Sequence, residues 1–395
     1  METRRSPALA TLRTLDRPRG ACEIATHIWL SSAGAATTQV IRMLRENPSN
    51  AEVRIFGTNI DASAPALTAC DVAEVEPRYV SAEEYAGFAL DFCRRHRIDV
   101  LLPPRRLEAL APRAADFAAL GTRLLCPPAA AVRVLTHKGR TYEEAARIGV
   151  PVPPWRVVRD AEAFRTAVAE LAGAGRLCVK PAGEYSAFGF RILDDEHRPL
   201  GLRELLAPPE PVAAVDAVAG ALKRAADAGE RIPELIVMPY LDDPEISVDC
   251  LAAPGGRLLT AIARAKEGRY RLLLDDPALE ELARTLVGHF GLPYLSNIQL
   301  RQWRGAPVLL EANPRASAGV FQTAFTGVNL PWAAVRLALT GDAYGPGPLP
   351  RPRLGGRVAV TEAVTEVGAA SVPERAADLE GDAVDAGRVA ARAAL

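Results

Sequence analysis

Cysteine is sparse in this chain, and no two of its six cysteines stand in a C-x-x-C pair. Cys22, Cys70, Cys93, Cys126, Cys178 and Cys250 are scattered. Zinc is therefore not expected, and buried reduced thiols are. No apolar run approaches the ~20 residues that a membrane-spanning helix needs. Basic residues form no block, and the formal net charge is −1, so nucleic acid is not implied as a partner. The opening METRRSPALATLRTLDRPRG lacks the continuous apolar core of a secretory signal and reads as a disordered lead-in over residues 1–20. Taken together these absences fit a cytoplasmic enzyme.

What is present is enough for two or three domains. The chain has 395 residues, 49% hydrophobic and 24% charged, which describes a soluble globular protein. In the first third, strands alternate with helices. Glu23–Leu30 reads as a strand, Thr37–Arg45 as a helix and Ala51–Phe56 as a second strand. Ser81–Arg97 reads as a helix opened by a Ser81/Glu84 capping box. Ile98–Leu102 is a strand ending at Pro103–Pro104, Leu107–Leu120 a helix, and Thr122–Cys126 a short strand. This order predicts an α/β domain with a parallel sheet over residues 21–134. The turn SSAGAAT holds only Gly34 where a dinucleotide fingerprint needs several glycines, so NAD is rejected. Ser32, Gly34 and Glu108 fall in loops at or near strand ends and read as solvated positions.

The middle of the chain carries phosphate-binding features. Lys138 opens a helix that runs to Arg147. Arg176–Lys180 (RLCVK) is a short apolar strand ending in a charge, followed by the loop Pro181–Gly189, which contains Ser186. A lysine in that place offers a point charge to a phosphate, and the loop amides close over the chain. Gly201–Arg231 reads as helical, broken by Pro208, Pro209 and Pro211. Glu234–Leu241 reads as a strand leading to a hinge, and Glu245–Leu251 as the next strand, with Glu245, Ser247 and Asp249 on one face. Arg264–Arg271 reads as a basic cluster after a strand.

The most informative stretch is Asn297–Arg315. Asn297, Gln299 and Arg301 alternate with Ile298 and Leu300, and Glu311, Asn313 and Arg315 alternate with Leu310 and Ala312. Gly305 is the apex of a loop of about three to five residues. Folding there sets Gln299 opposite Glu311 and Asn297 opposite Asn313, a cluster of oxygen donors that suits Mg²⁺ completed by phosphate.

The segments NIQLR and VLLEANPR resemble the metal-binding end of the ATP-grasp superfamily, near the carbamoyl-phosphate synthase large subunit and the small ligases similar to it. The resemblance implies a Rossmann-like α/β lead domain, then an ATP-grasp domain over 135–345 whose two α+β lobes clasp ATP, with a mobile lid at about 145–237. A strand with a helix or tail over 346–395 would follow. It further implies that Gln299, Glu311 and Asn313 hold two Mg²⁺ ions (Mn²⁺ as the alternative) against ATP. Arg315 would lie by the transferred phosphate. Lys138 and Lys180 would hold the phosphates, and the loop with Ser186 and Gly189 would close over them. The hinge Met238, Pro239, Tyr240 and Leu241 would meet the adenine, and Glu245 the ribose. Arg264, with Arg269, would lie near the phosphoryl group or an acid substrate. Two departures stand out: the loop is poor in glycine, and Met238 replaces a glutamate common in relatives. The implied activity is ATP-dependent joining of a small carboxylate to an amine through an acyl phosphate. The alternatives are a small-molecule kinase and a non-catalytic ATP-binding protein. Homodimers are common among similar enzymes.

Overall fold

The computed structural model describes residues 25–184, 188–194, 211–343 and 348–361. The lead-in over 1–20, Ser186 and the tail Pro373–Leu395 lie outside the described residues. Among those described there are three sheets.

The first sheet holds β1 (Thr26–Leu30), β2 (Val53–Asn59), β3 (Val72–Val75), β4 (Val100–Leu102) and β5 (Arg123–Leu124), in the order β3-β2-β1-β4-β5. All four pairings are parallel, as the alternation of strands and helices predicted. Their apolar runs are buried on both faces, as parallel sheets require: Ile28, Trp29, Ile55, Val100 and Leu101 are all inaccessible to solvent. The Ser81/Glu84 capping box is present at the head of the helix Ala82–His96. β3 was not anticipated, because its four residues alternate between half-buried and exposed. The expected single helix Leu107–Leu120 is instead Leu107–Leu110, a 3-10 turn Ala111–Arg113, and Ala114–Ala119. Pro112, which lacks an amide hydrogen, interrupts it. The strand order reverses between β1 and β4, so the crevice at their carboxyl ends is where such a sheet receives a ligand.

The second sheet holds β6 (Arg156–Val158), β7 (Leu177–Pro181), β8 (Arg191–Leu193), β9 (Val212–Ala213) and β10 (Leu235–Pro239), in the order β6-β10-β7-β8-β9. The helices Ala161–Leu171 and Val215–Asp227 pack on it through Phe164, Ala167, Leu171, Ala219 and Leu222. Within the stretch read as helical, Gly201–Arg231, the described part is helical only over Val215–Asp227 and begins with β9.

The third sheet holds β11 (Asp242–Ala253), β12 (Arg257–Glu267), β13 (Tyr270–Leu274), β14 (Tyr294–Trp303), β15 (Ala306–Asn313) and β16 (Arg357–Ala359), in the order β15-β14-β11-β12-β13-β16. Val248, Cys250, Ala263, Ala265, Ile298, Leu300 and Ala312 face a core built with Leu286 and Val287 of the helix Pro277–His289. The other face carries Ser247, Asp249, Arg264, Asn297, Gln299, Glu311 and Asn313, because in-register partners share a face. Of the expected strand Gly356–Glu366, residues 362–366 lie outside the described residues; within the rest β16 spans Arg357–Ala359 and pairs with β13, returning the chain past 346 to this sheet. The arginine cluster 264–271 does not follow a strand. It runs along β12, through the turn at Gly268, and into β13.

Gly189 occupies a left-handed conformation, with φ of +66°, and a Cβ there would stand 2.9 Å from both Cδ and Cγ of Pro181. Gly189→Ala should therefore lower stability by roughly 1–2 kcal/mol, read as a shift in the urea midpoint at constant slope.

Candidate active site at the β14–β15 hairpin

The hairpin reaches the anticipated pairing by an unanticipated route. Its turn has two residues, Arg304 and Gly305, with φ of +52° and +78°, between paired Trp303 and Ala306. Both central residues are left-handed, as a tight hairpin turn matching strand twist requires. Carried on unbroken, that register would set Gln299 against Leu310 and put Glu311 on the core face. A bulge between Gln299 and Leu300 absorbs Leu310 instead. Gln299 then faces Glu311, and Asn297 faces Asn313. The bulge is secured from behind, where the Tyr142 hydroxyl donates to the Leu310 carbonyl at 2.7 Å.

The side chains at the hairpin fit a hard cation. The Gln299 amide nitrogen donates to Asn297 Oδ1 at 3.2 Å, and that of Asn313 to Glu311 Oε1 at 2.9 Å. With the nitrogens engaged, the carboxamide oxygens and the carboxylate are the groups offered to an ion. Mg²⁺ prefers such oxygen donors, few in number and completed by water and phosphate. No cluster of three or more His, Cys, Asp and Glu side chains occurs among the described residues, so a closed, softer metal centre has no donors there. Asn297 is fully buried, and its amide is spent on Ser247 Oγ at 2.8 Å and Asp249 Oδ1 at 3.1 Å.

Two lysines converge on this hairpin. Lys138 is the first residue of the helix Lys138–Arg147, capped by His137, whose side chain accepts from the Arg140 amide. Its ammonium stands 4.0 Å from Glu311 Oε2 and donates to the Glu184 carbonyl. Its backbone amide donates to the Ala182 carbonyl at 2.9 Å, so the helix start and the loop after β7 are tied together. Burial pushes its pKa from the ordinary 10.5 down to about 8, against the opposing pull of Glu311. Lys180, on β7, is likewise pushed down by burial, with Glu311 among the charges that support its ammonium. Two buried lysines shifted down in this way beside a carboxylate make the hairpin end a candidate functional site.

The Lys138 shift has a consequence for stability. Its side chain is only 12% exposed. Below pH 8 the ammonium is charged in both the folded and unfolded chain but desolvated only in the folded one. The penalty amounts to about 3 kcal/mol and fades as pH rises from 8 towards 10.5. The unfolding free energy of the wild type minus that of Lys138→Met should therefore rise with pH through this window, as urea titrations at pH 7 and pH 10 would show.

Arg264 is not an open cation. It is 4% exposed, and it donates to Asp249 Oδ2 through Nε at 2.9 Å and Nη2 at 2.6 Å. It also donates to Gln322 Oε1, to Ser317 Oγ at 3.1 Å and to Ser247 Oγ at 3.2 Å. It therefore joins β11 and β12 to the loop after β15. Gly319 fits there because a Cβ would come within 2.9 Å of its guanidinium. Arg269 is in the turn itself, between paired Glu267 and Tyr270, with its guanidinium 5.6 Å from the Tyr270 ring. Glu245 lies at an irregularity of β11, where its charge reaches Arg271.

β10 ends at Pro239 and β11 begins at Asp242, and Met238 and Leu241 turn their side chains into the core. The Tyr142 hydroxyl rests 3.7 Å from the Met238 sulfur. The Tyr240 amide donates to the Arg176 carbonyl at 2.7 Å, and its ring lies 6.3 Å from that of Phe190. Pro239 pairs with Leu177 across β7.

Two cavities flank the hairpin end. A cavity of about 90 Å³ is lined by Lys138, Glu184, Glu311, Asn313 and Arg315, with Arg105, Arg106 and Glu108 from the first domain opposite. A larger one of about 400 Å³ lies at the carboxyl ends of β1 and β4 and includes Ser32, Gly34 and Ser317. Pro104, Arg105 and Arg315 line both. Ser32 and Gly34 thus border a cavity where a solvated loop was expected. Arg105 was missed, although its place directly after β4, at the strand-order reversal, was the available signal.

Residues 231–364 match the family described as "ATP-grasp in the biosynthetic pathway with Ter operon", and residues 28–125 match "PylC-like, N-terminal domain". The chain has an ATP-grasp fold behind a PylC-like N-terminal domain. Over 183 residues it is 30% identical to the phosphoribosylamine–glycine ligase of Rhizobium meliloti (strain 1021), covering 45% of this chain and 37% of that one. The chain thus spans well under half the length of the curated relative it matches. The ATP-grasp fold is shared with N5-carboxyaminoimidazole synthetase from Staphylococcus aureus complexed with ADP. That match has 14% identity and a TM-score of 0.59, over 81% of this chain and 79% of that one. It is shared also with the biotin carboxylase domain of Hydrogenobacter thermophilus 2-oxoglutarate carboxylase, solved with MgADP and bicarbonate. Here the identity is 19% and the TM-score 0.56, over 79% and 69% of the two chains. No helix among the described residues is long and apolar enough to cross a membrane.

Proposed function

We propose that the chain is an ATP-dependent carboxylate–amine ligase working through an acyl phosphate. The observation that carries this reading is the meeting of Gln299, Glu311 and Asn313 with Lys138 and Lys180 at the hairpin. The ADP and MgADP bound by the two solved relatives, and the ligase name of the curated one, support the same reading.

In the proposed reaction a carboxylate oxygen attacks the γ-phosphorus of ATP, the bond to the β-bridging oxygen breaks, and ADP leaves. An amine then attacks the acyl carbon, phosphate departs, and the amine loses a proton. Phosphoryl transfer of this kind needs placement and charge neutralisation more than covalent help. Gln299, Glu311 and Asn313 would hold Mg²⁺, which when bound neutralises charge on the phosphate oxygens. Lys138 and Lys180 place fixed positive charge beside the polyphosphate, and Arg315 does so at the transferred group. The loop with Ser186 and Gly189 would keep water from the acyl phosphate. Backbone groups of Met238–Leu241 would meet the adenine, since the side chains of Met238 and Leu241 are committed to the core. Glu245 is assigned to the ribose. Arg264 acts by holding Ser317 and Asp249 in place, not by touching substrate.

Hydroxylamine offered as the amine in the presence of MgATP and a pool of small acids tests the reading. Hydroxamate formation with matching ADP release is expected. ADP release without hydroxamate would identify a kinase, and neither product would identify a nucleotide-binding protein without turnover.

A further inference from the structure

The 400 Å³ cavity says what kind of acid the site takes. Its walls are Leu30, Val40, Leu102, Leu125, Val320 and other apolar groups, with the hydroxyl residues Ser32, Thr37 and Ser317 among them, and no aspartate or glutamate of the described residues lines it. It falls within the ~300–1,000 Å³ range of small-molecule sites. Its two arginines, Arg105 and Arg315, lie where it meets the smaller cavity holding Glu311 and Lys138. The wall is also held under strain. Ser32 adopts φ of +47°, and its hydroxyl donates at 2.9 Å to Glu76, a carboxylate only 3% exposed. Strain kept in place by a buried anion is found where a binding surface must have one shape.

We propose that this cavity takes the body of a carboxylic acid that is apolar and uncharged, with its carboxylate at the Arg105/Arg315 neck beside the transferred phosphate. The assignment rests on the ligase reading for its chemistry, but not for its binding preference. A guanidinium matches a planar carboxylate through two parallel N–H groups. Beyond the neck, a second carboxylate or an ammonium would be stripped of water with no counter-ion on the wall.

The test is equilibrium binding to the full chain with Mg²⁺ and a non-hydrolysable ATP analogue. Three acids of similar reach are compared: 3-phenylpropionate, glutarate and 6-aminohexanoate. The aryl acid should bind at least 10-fold more tightly than either of the others. Gly34 lines the cavity and a Cβ there meets nothing within 4 Å, so Gly34→Phe is the variant chosen to occupy it. That variant should weaken 3-phenylpropionate about 10-fold and leave the analogue's affinity alone. If it fails to fold, Ala318→Phe on another wall reads the same quantity. Equal or reversed ranking of the three acids overturns the proposal. Hydroxamate assays on the same acids separate it from the ligase reading. Selective binding without hydroxamate keeps the cavity assignment and removes the ligase. Hydroxamate from glutarate, with no preference for the aryl acid, does the opposite.

Discussion

Replacing Glu311 with alanine is expected to cut ATP turnover by about 10²–10³-fold while the chain stays folded. Glu311 is the one carboxylate in the hairpin's donor set, and its side chain is 22% exposed, so the core does not depend on it. It lies on β15, at the edge of the third sheet, with Ala312 beside it supplying the core contact. The loss should appear in ADP release measured under saturating acid and amine. It should appear also as a rightward shift of the Mg²⁺ concentration needed for nucleotide-analogue binding. A second consequence follows from charge. Glu311 is the leading influence supporting the Lys138 ammonium against burial. Without it the Lys138 pKa falls further, and nucleotide affinity in Glu311→Ala should weaken as pH rises sooner than in the wild type. Unchanged turnover would refute the metal clamp at this hairpin.

How much of this was legible in the sequence depends on the range over which each feature is decided. The parallel sheet of the first domain was readable because short apolar runs and a capping box are local signals. The pairing of Gln299 with Glu311 was readable because period-2 alternation puts both on one face. The means was not: the two-residue turn at Arg304–Gly305 and the bulge at Leu310 cancel, leaving the same partners. Either one alone would have turned Glu311 to the core. The nature of the cavity was not legible at all. Leu30, Leu102 and Val320 come from three distant segments, and nothing local distinguishes an apolar residue bordering a cavity from one filling a core. The partners of Arg264 were not legible for a related reason: Asp249 is brought to it only by the pairing of β11 with β12.

That pair gives the second large effect. Removing one partner of a buried ion pair leaves the other charge desolvated and costs ~3–5 kcal/mol. Arg264→Met should therefore lose stability on that scale, since both side chains are nearly inaccessible, at 4% and 2% exposure. The double variant Arg264→Met/Asp249→Asn should recover at least half of the loss. It removes the stranded carboxylate yet keeps an oxygen for the Asn297 amide, which donates to Asp249 at 3.1 Å. Urea unfolding of the two single variants and the double variant closes the cycle. The same variants separate the two roles open to Arg264. As a positioning residue, it should affect turnover through Ser317, raising KM for the acid while kcat changes less, and the double variant should regain part of that KM. A residue stabilising the transferring phosphoryl group would instead lose kcat in both Arg264 variants alike, whatever happened to the urea midpoint.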